Sequence, residues 1–94
     1  MATRNRFEQV DEPQPDAITL SLGQRDGTSF ARVACPAELA GGQLVNDFVS
    51  DELDPVEGFR CAVRLANEIK APIVVEDAQG LWQEEWGELY REEA

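Results

Sequence analysis

The sequence predicts a small α+β fold: a β-hairpin plus a third strand packed with two or three helices, in the order ββ(α)αβα. Three observations carry this reading. Apolar residues alternate from Ile18 to Leu22 ahead of an Asp-Gly pair, helix start and stop signals bracket residues 54–72, and a β-branched run follows at Ile73–Val75.

Residues 1–15 hold Pro13, Pro15 and a polar run with the single aromatic Phe7, a composition expected of a flexible N-terminal tail. The folded domain is then expected to span 16–94. Ile18, Leu20 and Leu22 against Thr19 and Ser21 have the period of two of a half-buried strand, and Asp26-Gly27 suits a hairpin turn needing positive φ. The return strand is placed at 29–35. Its inward face is left open between Phe30 with Ala34 and Ala31 with Val33 and Cys35. Beyond Pro36, the spacing of Leu44, Val45, Phe48 and Val49 suits a short helix, with a loop as the alternative because Gly41-Gly42 precedes it.

The strongest local pattern is "LDPVEGFRCAVRLANEIKAP". Asp54 can cap a helix, Pro55 fits its first position and Glu57 stands in the capping-box position. Val56, Phe59, Ala62, Val63, Ala66 and Ile69 form the apolar stripe, Lys70 complements the helix dipole, and Pro72 forbids continuation. Ile73–Val75, apolar at every position, predicts a strand covered on both faces, placed most simply at a sheet edge. Trp82, Trp86, Leu89 and Tyr90 recur at helical spacing, with Glu84, Glu85, Glu88 and Glu92 on the other side, and predict an amphipathic C-terminal helix weakened by Gly87.

The composition narrows the function. A 94-residue chain leaves little volume for a deep cleft, and nineteen acids against eight bases give a formal charge of −11. Such a chain repels phosphate backbones and anionic headgroups, so no direct nucleic-acid or membrane contact is expected. The acids cluster in 47–57 and 76–94. No apolar run reaches membrane-spanning length and no hydrophobic segment follows the opening basic residues, so a soluble, cytoplasmic protein is expected. Cys35 and Cys61 read as buried thiols.

Histidine is absent, which removes His-based triads and most zinc sites. "DELDPVEG" lacks the ligand spacing of a calcium loop, the glycines form no phosphate-binding motif, and Ser21, Ser29 and Ser50 could find a base only in Lys70. Glu76 and Asp77 follow a strand and form the alternative carboxylate site, with Asp51 and Asp54, for a metal or metabolite. A solvated strand end in which Asp77 caps the next turn accounts for the same pair more simply.

The run "RLANEIKAPIVVEDAQGLW" resembles a small uncharacterised bacterial protein family, in which a helix ending in "LANE" leads into an apolar strand and a D-x-x-G turn. The resemblance implies a bacterial, cytosolic protein and assigns no activity and no site residue.

The expected function is therefore a non-catalytic protein-interaction or regulatory module with no cofactor, capable of mimicking the charge of nucleic acid toward a basic partner. Its expected partner-binding surface is Trp82, Trp86 and Tyr90 ringed by Glu84, Glu85 and Glu88, with core packing as the simpler use of the tryptophans. The alternatives are the carboxylate site and a self-associating structural module, monomer or homodimer.

Overall fold

The computed structural model describes residues 6–12, 14, 16–40 and 47–91, with the backbone alone at 6, 40, 88, 90 and 91. Among these residues six strands form one mixed sheet: β1 (Arg6–Val10), β2 (Ile18–Arg25), β3 (Thr28–Cys35), β4 (Phe48–Val49), β5 (Ile73–Glu76) and β6 (Glu88–Arg91). Their spatial order is β4-β3-β2-β5-β1-β6. The β2–β3 and β3–β4 pairs are antiparallel, whereas β2–β5, β1–β5 and β1–β6 are parallel. The expected two or three helices reduce to one, α1 (Pro55–Ile69), with two short 3₁₀ turns at Ala37–Ala40 and Glu84–Trp86.

The hairpin follows from its sequence. Asp26 and Gly27 both take positive φ, 52° and 79°, the two-residue turn whose twist matches the flanking strands. The register sets Leu20 opposite Val33 and Leu22 opposite Ala31. This decides the inward face of β3 in favour of Ala31, Val33 and Cys35, all buried with Ile18, Leu20 and Leu22.

Helix α1 starts where the capping signals place it. Asp54 Oδ2 accepts the Val56 amide at 3.1 Å, and the chain leaves the helix through Lys70 in the left-handed region, φ 59°. Its buried face differs from the expected stripe. Gly58 and Ala62 are buried, and Leu65, absent from that stripe, packs half-buried on the core with Phe59, Ala66 and Ile69, whereas Val63, equally half-buried, is not among the residues packed on it.

Four expectations are overturned. Residues 6–10, read as part of a flexible tail, form β1, and Phe7 there is 3% exposed; residues 1–5, 13 and 15 of that stretch lie outside the described residues. Strand β5 is interior, between β2 and β1, because Glu8, Gln9 and Val10 of β1 pair with Val74, Val75 and Glu76. The helix expected over 82–90 is a loop, one 3₁₀ turn and strand β6, since Gln83 is extended, φ −102° and ψ 130°, and Gly87 takes φ 127°, both inside that span. Phe48 and Val49 form β4 instead of a helix, and Leu44 and Val45 lie outside the described residues.

Two crossovers position the rest. Strands β1 and β2 run parallel on either side of β5, and between them the Gln14 amide donates to the buried Thr19 hydroxyl at 3.1 Å on the face away from α1. Strands β5 and β6 likewise flank β1, and 77–87 crosses it on the α1 face.

Candidate functional site

The 77–87 crossover carries most of the residues that the sequence singles out, and Asp77 organises it. Asp77 is 4% exposed; its Oδ1 accepts the Leu81 amide at 2.7 Å and its Oδ2 the Trp82 amide at 2.9 Å. A carboxylate at the first position of a turn can accept the amides that the turn leaves unpaired, and these bonds are charge-assisted. The Asp77 carbonyl in turn accepts from Gln9 Nε2 at 3.0 Å, tying the loop to β1. Further along, Trp82 Nε1 donates to the Gly87 carbonyl at 3.1 Å and closes the loop on itself.

Four rings then pin the loop to the core. Phe7 of β1 and Phe59 of α1 meet edge to face at 5.6 Å, and Trp82 packs against both at 5.1 and 5.8 Å. Trp86 stacks on Phe59 at 4.9 Å with an interplanar angle of 7° and meets Trp82 edge-on at 5.2 Å. Such pairs add about 0.5–1.5 kcal/mol each beyond the area they bury. Both tryptophans are half-buried, and between them Glu84 and Glu85 of the 3₁₀ turn are exposed.

The expected partner surface is thus divided. Trp82 and Trp86 give most of their faces to the core, Glu84 and Glu85 project from the loop, and Glu88 and Tyr90 belong to β6, not to a helix shared with the tryptophans. Phe7 and Gln9 are the residues that sequence reasoning missed. Their only local signal is an aromatic two residues from a polar position, since Gln9 is a weak mark of an inward-facing strand residue.

The alternative carboxylate pair separates onto the two sides of the sheet. Glu76 Oε1 accepts from Ser21 Oγ at 2.8 Å on the face away from α1, whereas Asp77 serves the loop on the α1 side. Asp54 caps α1 and Asp51 is exposed. Among the described residues no group of three or more His, Cys, Asp or Glu side chains is placed to hold a metal ion. Glu52 forms a bidentate pair with Arg25, at 2.7 and 3.1 Å, and also accepts from Arg32 at 3.2 Å. The Arg25 hydrogen bonds lower its pKa, with the charges of both arginines adding to the effect.

The cysteines differ from one another. Cys35 is buried and Cys61 is half-buried, not buried as expected. Burial pushes both thiols up; the Asp47 charge raises Cys35 further, and Arg64 partly offsets the shift of Cys61. No helix among the described residues is long and apolar enough to cross a membrane. Compared with known proteins, the chain matches no family, no curated protein and no solved structure.

Proposed function

We propose that this chain is a small, non-catalytic interaction or regulatory module that engages a basic protein partner in the cytoplasm. The observation that carries the reading is the Glu84–Glu85 turn: two exposed carboxylates on a loop held by Asp77 and four packed rings. The backbone of a loop so anchored loses little further freedom on binding, which favours complex formation. The formal charge of −11 extends the attraction beyond the turn and suits a partner surface that otherwise receives phosphate groups. By contrast, Asp54, Glu76 and Asp77 are engaged in local hydrogen bonds, which gives a catalytic use of them no support.

The test is recovery of a partner from the protein's own cell with wild type and with Glu84→Lys/Glu85→Lys. Both substitutions are at exposed positions, so the fold should be retained, as a circular dichroism comparison will check. A basic protein recovered with wild type and lost with the variant supports the reading. A partner retained by the variant, or the recovery of none by wild type, rejects it.

A further inference from the structure

A cavity of about 460 Å³ opens at the β4 corner of the sheet, away from the aromatic loop, within the roughly 300–1,000 Å³ of small-molecule sites. Its walls combine two chemistries. Ala34, Phe48 and Val49 supply apolar surface, and Val49 is 64% exposed, the most open large hydrophobic among the described residues. Glu38 and Asp47 supply carboxylates, and no basic side chain lines the cavity among the described residues.

From this combination we infer that the cavity binds a small organic cation, a primary ammonium on a short apolar stem. Asp47 is oriented for the task. Its Oδ1 accepts the Ala37 amide at 2.8 Å, which fixes the carboxylate, and among the described residues its Oδ2 takes no hydrogen bond and can accept from the ammonium. The stem then covers Val49 and Ala34, removing exposed apolar surface from water. Other ligand classes fit less well. Two carboxylates repel an anion, and two acids beside an apolar wall do not supply the six or more oxygens that calcium takes. Cys35 also lines the cavity, and its thiol is pushed up by burial first and by the Asp47 charge second.

The experiment is a titration of the ¹⁵N-labelled protein with benzylamine, with benzyl alcohol as its neutral counterpart. Benzylamine should give saturable amide shifts at Ala34, Val49 and Thr19, and the alcohol should bind about tenfold more weakly for want of the ionic hydrogen bond. Asp47→Asn, which keeps an acceptor for the Ala37 amide, should bring the amine down to the level of the alcohol. Val49→Thr, an isosteric change at an exposed position, should weaken both probes alike. Equal binding of amine and alcohol to wild type, or an Asp47→Asn protein that still prefers the amine, overturns the inference. So does the absence of saturable shifts at these residues, and neither result bears on the Glu84–Glu85 reading.

Discussion

A Cβ placed on Gly58 would lie 2.4 Å from the Cβ of Ala31 and 3.6 Å from Leu20 Cδ1. Helix α1 therefore sits on β3 at a distance that only glycine allows. Gly58→Ala removes a helix-interior glycine, a gain of about 1 kcal/mol in propensity, but forces helix and sheet apart at their closest point, where overpacking costs about 1–3 kcal/mol. We expect net destabilisation by urea denaturation and partial recovery in Gly58→Ala/Ala31→Gly, because the two positions share one contact. A more stable Gly58→Ala protein would mean that the helix stands further off the sheet.

Asp77→Ala leaves two loop amides without their carboxylate and should cost about 2–4 kcal/mol, with Asp77→Asn recovering part of the loss through its one remaining acceptor oxygen. The two tryptophans report directly: their fluorescence should shift toward that of exposed indole in Asp77→Ala even where the sheet remains folded. An unchanged emission and an unchanged midpoint would show that the rings alone hold the loop.

Phe59 and Trp86, stacked at 4.9 Å, should be energetically coupled. Each alanine variant should lose about 2–4 kcal/mol, somewhat less than for fully buried rings, and the double variant should lose about 0.5–1.5 kcal/mol less than the sum. Strict additivity would indicate that the stack contributes only through buried area.

The elements legible in the sequence are those whose signals are local. The hairpin is written in Ile18, Leu20, Leu22 and Asp26-Gly27, and α1 in Asp54, Pro55, Lys70 and Pro72, all within a few residues of the structure they specify. Strand β1 was not legible. "RFEQV" has one strongly buried residue, Phe7, and owes its strand state to β5 and β6, which lie more than sixty residues away in sequence. Position within the sheet was hidden for the same reason: Ile73–Val75 announce coverage on both faces but not which strands flank them.

The C-terminal segment misled for a different reason. Trp82 and Trp86 are four apart, as on a helix face, yet the 3₁₀ turn between them brings both rings to Phe59 without a helix. Gly87, inside the expected helix and at positive φ, is the signal against it, and its weight exceeds that of the spacing. For the candidate site, the role of Asp77 as a cap was legible from its place before a turn. That Glu76 beside it faces the other side of the sheet follows from strand alternation once β5 is fixed.

The Glu52 carboxylate links stability to pH. Because its hydrogen bonds with Arg25 lower its pKa in the folded state, its contribution is fully present above the ordinary value of 4.5 and is lost as pH falls through the lowered folded value. Glu52 is exposed, so the effect is small. Glu52→Gln should melt slightly below wild type at about pH 7, with the gap closing as pH falls through the lowered folded value of Glu52. A gap that persists in acid would assign the difference to packing, not charge.

The central claim is that binding rests on carboxylates displayed by the 77–87 loop, and salt dependence of affinity tests it most directly. With the partner recovered from the cell, Kd should rise by about tenfold or more between about 50 and 500 mM sodium chloride, as exposed charges become screened. Glu84→Lys/Glu85→Lys should bind weakly at the lower salt and show a flatter dependence. Affinity that is indifferent to salt, or an identical slope in the variant, would contradict the account and move the interface away from the acidic turn.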